Sequence, residues 1–222
     1  MPSGSNVSAE TIAQVLKEQA ALGDKTFVVI DEDRLTYAEA ESRSRRIAAA
    51  LIAAGVGRGS RVAILMGNSS DYAVTFFAIT RIGAVALPFS TMSTPNELAG
   101  MLARADCEYL IAAKGYRGRD FRDVLAEVLG RSPDGRQMIP QIPTLRRIWF
   151  GAASLEEQDA PDAPVLAADA QVTPADTMVL VHTSGSTSAP KGVIHTHGQV
   201  IRNMRRQNAT RGLTSNEVLF AN

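Results

Sequence analysis

One cysteine, Cys107, stands in a chain of 222 residues. That excludes an intramolecular disulfide framework and any cysteine-built zinc cluster within the chain. It leaves Cys107 to be read as a small buried apolar residue and not as a reactive thiol. Neither sign of charge predominates, since 23 Lys and Arg offset 23 Asp and Glu. No global field therefore steers the chain toward nucleic acid or an anionic membrane, and any phosphate it binds has to be held locally. Long apolar runs are missing too. The longest charge-free stretch, Ile82 to Asn96, contains Pro88 and Pro95 and is too short to span a bilayer. The opening Met1-Pro2-Ser3-Gly4-Ser5-Asn6 has neither a basic nor an apolar targeting region. These absences predict a cytoplasmic protein of a reducing compartment.

What is there is globular. At 45% hydrophobic and 21% charged, the chain is far from a disordered composition and long enough to bury a sizeable core. Thr36-Tyr37-Ala38-Glu39 fits a capping box, with Ile47, Leu51 and Ala54 at helical spacing behind it and Gly55 as the stop. Thr94-Pro95-Asn96-Glu97 repeats the device ahead of Leu98, Leu102 and Ala105. A third helix is expected over 71–81, behind Ser69-Ser70. Short apolar runs lie between these helices, at Val62–Leu65, Ala84–Leu87 and Tyr109–Ile111. Strands alternating with helices predict a layered α/β fold with a largely parallel sheet. The expected core is Ile47, Leu51, Val62, Ile64, Phe76, Ile79, Val85, Leu98, Leu102 and Ile111, with Met66, Met92 and Met101 filling gaps.

The stretch 131–174 differs. It holds six of the ten prolines and one strand-like run, Arg147–Phe150. From Ile148 to Pro190 there is no Lys or Arg, while Glu156, Glu157, Asp159, Asp162, Asp169 and Asp176 accumulate. We expect a connection wrapped over the surface. The organisation expected is thus an α/β unit over 10–130, a Pro-rich acidic connection over 131–174, and a strand–loop–strand–helix unit over 175–222.

The last unit carries the chemistry. An apolar strand, Met178 to His182, runs into Thr183-Ser184-Gly185-Ser186-Thr187-Ser188-Ala189-Pro190-Lys191-Gly192. Hydroxyls, glycines and one lysine in so short a span suit a polyphosphate. Small residues let backbone N–H groups approach the oxygens, hydroxyls add donors, and Lys191 adds charge. The pattern is not a Walker A loop, since Pro190 precedes Lys191 and Gly192 follows it. Nor is there a G-x-G-x-x-G dinucleotide fingerprint. Val193 to His197 reads as a second strand, and a helix follows from about Gln199. His195 and His197 would share a strand face, but no third ligand lies near them and zinc is not expected. Aromatics are few, 5%, and none interleaves with Arg202, Arg205 and Arg206, so that trio reads as a solvated helix face and not a nucleic-acid contact.

The run Thr183 to Val193, with Thr196-His197 beyond it, resembles the phosphate loop of the adenylate-forming superfamily: acyl-CoA synthetases, peptide-synthetase adenylation domains and luciferases. Ser188 stands where many members carry Gly. Leu35–Glu39, Gly59–Ile64 and Gly83–Pro88 look like the family's upstream landmarks in order, and Lys114–Asp120 is more like acyl-CoA ligases than peptide synthetases. The resemblance spans about residues 10–220.

It implies the N-terminal part of the large domain of such an enzyme, with the C-terminal domain and the catalytic residues outside these 222 positions. It assigns the ATP phosphates to Thr183, Ser184, Gly185, Ser186, Thr187, Ser188, Lys191 and Gly192. It also implies Mg2+ with the ATP, coenzyme A as co-substrate and a small carboxylic acid as substrate, with no metal ligand in this segment. The reaction implied is acyl-adenylate formation with release of pyrophosphate, then thioester formation. Two alternatives remain open: an adenylation domain that loads a carrier protein, and a non-catalytic nucleotide-binding or dimerising module. A strand under way at Val218-Leu219-Phe220, left unpaired, predicts self-association.

Overall fold

The computed structural model describes residues 9–135, 139–183, 191–214 and 217–220, with Thr183 and Lys191 described by their backbone. Along the chain the elements are α1 (Ile12–Ala20), β1 (Thr26–Ile30), β2 (Asp33–Thr36), α2 (Tyr37–Ala53), β3 (Arg61–Leu65), α3 (Ser70–Arg81), β4 (Val85–Pro88), α4 (Pro95–Arg104) and β5 (Tyr109–Ala112). There follow β6 (Gly115–Tyr116), β7 (Arg119–Asp120), α5 (Phe121–Leu129), β8 (Arg147–Phe150), α6 (Ala153–Glu156), α7 (Ala163–Gln171), β9 (Thr177–Thr183), β10 (Lys191–Thr196) and α8 (His197–Arg211).

Three of the expected helix starts rest on the caps that the sequence announces. Thr36 Oγ1 accepts from Glu39 N–H while Glu39 Oε2 accepts from Thr36 N–H at 2.8 Å. Thr94 and Glu97 make the same reciprocal pair, with Pro95 in the first turn, where its missing N–H costs nothing. Ser69 caps α3 through Tyr72 N–H.

Six strands form the central sheet in the order β10-β9-β4-β3-β5-β8. All neighbours are parallel except β9 and β10, which pair antiparallel as a hairpin. Apart from Arg61, strands β3, β4 and β5 are apolar along their length because helices cover both faces. Val62, Ile64, Ala86 and Ile111 point to the face packed by α2 and α3. Ala63, Leu65, Leu87 and Leu110 point to the face packed by α4 and α5. The chain passes from β3 to β4 by way of α3 on one face. It then returns by α4 on the other face to β5, on the far side of β3. The carboxyl ends of β3 and β5 are therefore a topological switch point, where α/β sheets open a crevice.

Nine of the ten expected core residues are buried; Phe76 is half-buried, at the rim of an aromatic cluster with Tyr72 and Phe77. Met66 and Met101 fill the core, but Met92 is 66% exposed, in the loop before α4. The connection over 131–174 does more than wrap the surface. It adds β8 to the sheet and carries α6 and α7, whose Leu155 and Val165 enter the core.

The acidic run has a physical reason. Asp169 pairs with the buried Arg81, Glu156 with Arg43, and Asp176 with Arg58, so this stretch supplies the counter-charges of α2, α3 and the β3 approach. Among the described residues, no helix is long and apolar enough to cross a membrane.

Candidate functional site

The loop singled out in the sequence joins β9 to β10. The hairpin register sets Lys191 opposite Thr183 and Gly192 opposite His182. The two ends of the loop are thereby held side by side at the tip of a paired ladder. Strand β9 runs parallel to β4, with Val179 aligned to Ala86. The loop thus leaves the sheet at its carboxyl edge, the same edge as the switch point. Of the predicted site residues, Thr183, Lys191 and Gly192 are placed by this register. Ser184, Gly185, Ser186, Thr187 and Ser188 lie outside the described residues. Gly192 is a close-approach position, since a Cβ there would meet Leu180 Cδ2 at 3.1 Å.

Beside the base of the loop opens a cavity of about 700 Å³ between the β4–α4 loop, α4 and the end of β9. Its chemically active lining is Ser90, Ser93, Glu97, Arg104 and His182. Glu97 is committed to its cap with Thr94 and is not a free base. His182 packs edge-on against Phe89 at 5.8 Å between centroids. Burial, and then the nearby charge of Arg104, hold its pKa below the ordinary imidazole value. Its Nδ1 is buried without a partner among the described residues. The cavity therefore carries one cation, Arg104, an imidazole and two hydroxyls beside the capped Glu97 carboxylate, and its donors suit phosphate oxygens. Arg104 is the site residue that sequence reasoning missed. In the last turn of α4 it has an ordinary reading as a complement to the helix dipole; only the fold brings it beside His182 at the end of β9.

The histidines part company. Strand β10 ends at Thr196, and His197 opens α8, so His195 and His197 do not share a strand face as the sequence reading had it. The reason is a capping box: Thr196 accepts from Gln199 N–H, and Gln199 Oε1 accepts from Thr196 N–H at 3.1 Å. The T-x-x-Q spacing was the available signal. His197 is fully buried, its Nδ1 accepting from Ile12 N–H at 3.3 Å, and burial lowers its pKa to about 4. It ties α8 to the start of α1 as a framework residue. Among the described residues, no three His, Cys, Asp or Glu side chains converge as a metal site.

A family model described as AMP-binding enzyme matches residues 16–221. The chain belongs to the AMP-binding enzyme family. Among its relatives are the acyl-CoA ligase sidI of Aspergillus fumigatus, 30% identical over 194 residues, and the long-chain-fatty-acid–CoA ligase FadD13 of Mycobacterium tuberculosis, 28% identical over 197. The matches cover 84% and 86% of this chain but 33% and 36% of those proteins. This AMP-binding chain thus spans about a third of the length of the relatives it matches. In fold it is similar to VinN, solved with 3-methylaspartate, with a TM-score of 0.71 at 24% identity over 93% of this chain and 53% of that one. The mixed α/β architecture with its mostly parallel sheet is that of the N-terminal domain of adenylate-forming enzymes.

Proposed function

We propose that this chain is the phosphate-gripping N-terminal part of an ATP-dependent acyl-CoA synthetase. The reaction of the whole protein is carboxylate plus ATP giving acyl-adenylate and pyrophosphate, followed by displacement of AMP by the thiol of coenzyme A. The observation that carries the reading is the β9–β10 hairpin. It presents the Ser/Thr/Gly loop at the carboxyl edge of the sheet, next to a cavity furnished by Arg104 and His182.

In this reading Thr183 to Ser188, Lys191 and Gly192 bind the β- and γ-phosphates, and Arg104, lining the cavity at the end of β9, adds a second cation. Their work is to position the tail and stabilise charge on the departing pyrophosphate, a task that needs donors and no nucleophile. Burial lowers the His182 pKa and so favours the neutral imidazole, which can donate a hydrogen bond. The carboxylates that would hold Mg2+ are not gathered among the described residues, so no step is assigned to the ion here. Coenzyme A as acceptor follows the acyl-CoA ligases sidI and FadD13. A cytoplasmic location agrees with such small-molecule substrates.

The test is calorimetric titration of the chain with MgATP, tripolyphosphate and AMP. Saturable binding of ATP that tripolyphosphate competes away, with AMP much weaker, is expected. AMP binding as tightly as ATP, or no competition by tripolyphosphate, would put recognition elsewhere than the loop. Pyrophosphate release by the whole protein with fatty, aromatic and amino acids then separates a ligase from a non-catalytic module, and coenzyme A against a carrier protein separates the two acceptors.

A further inference from the structure

Helix α1 and strand β1 pack against α2 and α3, and a cavity of about 90 Å³ lies between these elements. Ile12, Val15 and Leu16 recur at helical spacing, so one apolar stripe of α1 roofs it, with Ala40 of α2 opposite. The remaining wall is aromatic: Phe27 of β1, Tyr37 of α2 and Phe77 of α3. Phe27 pairs with both other rings, at 5.1 Å and 53° to Tyr37 and at 5.9 Å and 43° to Phe77. Rings tilted in this way offer both faces and edges to a further ring. No lining residue belongs to the central sheet. The cavity is therefore separate from the phosphate loop and from the crevice at the switch point.

The lining decides what could enter. Its polar groups are the Gln19 amide and the Tyr37 hydroxyl, and every other lining side chain is a hydrocarbon. The charged neighbours in sequence lie outside that lining. Lys17 reaches Asp169 at 3.3 Å, Glu41 binds Arg81 and Arg45, and Glu18 and Lys25 are exposed to solvent. Water gains little in such a chamber, and an apolar cavity on the order of 150 Å³ stays dry and takes up benzene or xenon. At about 90 Å³ this one suits a single flat ring, and Phe27, 39% exposed, is the wall that borders solvent. We infer that the cavity is a binding site for a small uncharged aromatic molecule of one ring, packed against Phe27, Tyr37 and Phe77. The inference does not depend on the proposed ligase activity.

Benzene is the probe, with cyclohexane as its saturated control and benzoate as its charged one. In 1H–13C spectra of the chain, benzene is expected to shift the methyl signals of Ile12, Val15 and Leu16 saturably. Benzoate should bind at least about tenfold more weakly, because its carboxylate would lose water without a partner in the lining. Cyclohexane should bind at least about threefold more weakly, having no ring quadrupole to meet the three aromatic walls. Val15→Phe, which fills the cavity from α1, should weaken benzene at least about tenfold. Phe27→Ala, which removes the ring that pairs with both others, should weaken it at least about threefold. Val29→Ala, on the same strand but outside the lining, should leave binding unchanged. Each variant is checked for native methyl dispersion and its urea midpoint, and if Val15→Phe does not fold natively, Phe27→Ala against Val29→Ala decides. Absence of shifts, shifts spread over the whole chain, or either control binding as tightly as benzene would each overturn the inference. So would binding that Phe27→Ala leaves unchanged, or that Val29→Ala weakens as much.

Discussion

Arg81 and Asp169 meet with both side chains fully buried, Nε donating to Oδ1 at 3.1 Å and Nη2 to Oδ2 at 2.9 Å. Glu41 closes the other side of the guanidinium, accepting from Nη1 and Nη2 at 3.1 Å each, and Ser44 Oγ takes a further bond at 3.0 Å. Burial pushes the Arg81 pKa down, but the bonds to Asp169 and Glu41 outweigh it and leave it raised. Arg45 and Lys17 bond the same two carboxylates from the edge. The pair fastens α7 to α2 and α3, over a long sequence separation.

A buried pair with one partner removed leaves an uncompensated charge, which costs roughly 3–5 kcal/mol. Asp169→Asn should therefore destabilise the chain by that free energy, read from its urea midpoint and slope, and Asp169→Asn with Arg81→Met should recover part of it. A loss under about 1 kcal/mol for the single variant would show that Glu41 alone satisfies Arg81.

Much of this fold was legible because local signals agreed. The Thr36 and Thr94 boxes, the Ser69 cap and apolar runs such as Val62–Leu65 each name one element. Asp169 was not legible: among five other acids in a stretch without Lys or Arg it reads as solvent-facing, and its burial depends on Arg81, far away in sequence. The same limit hid Arg104, whose place beside His182 is set by the β4–β9 pairing. The loop was legible as a pattern of small and hydroxyl residues, while the cavity beside it, being built from three separate elements, had no local signature.

Lys191 tests the phosphate reading. A charge-assisted hydrogen bond of this kind is worth about 1.5–3 kcal/mol, so Lys191→Ala should weaken MgATP roughly 10- to 150-fold with AMP little changed. Unchanged ATP affinity in the calorimeter would remove Lys191 from the site.

Burial of His197 makes acid stability sensitive to it. With the folded pKa near 4 and the ordinary value at 6.5, the unfolded chain binds the proton first. Stability is then complete above pH 6.5 and falls as pH drops toward 4, by up to about 3 kcal/mol. His197→Asn keeps an acceptor for the Ile12 N–H and removes the titration. Its stability should decline less steeply than that of wild type between pH 6.5 and 5, leaving the contribution of His182, whose pKa is also lowered. Parallel curves would show that another group carries the dependence.

Cys107 is fully buried, with Sγ 3.0 Å from the Tyr109 carbonyl, and burial pushes its thiol up to about 12. The thiolate is the reactive form. Modification by Ellman's reagent at pH 8 should therefore proceed only as fast as the chain opens, and rise sharply in urea. Rapid stoichiometric labelling under native conditions would contradict the packing.

The sheet edge bears on association. Residues 217–220 form no strand, against the sequence expectation, yet Val218, Leu219 and Phe220 are exposed, Phe220 by 91%. Among the described residues strand β10 has a neighbour on one side only, and Ile194 on it is 58% exposed. An unblunted edge beside apolar side chains invites pairing with another chain, and zero formal net charge supplies no repulsion against it. The chain should therefore show concentration-dependent light scattering. Ile194→Lys should reduce it through the strand edge, and Leu219→Glu with Phe220→Glu through the exposed segment. The comparison ranks the two surfaces, because a charge in β10 blocks ladder pairing without altering 217–220. A chain that stays monomeric across the concentration range would show that the edge is silent, and scattering untouched by either set would place the contact elsewhere.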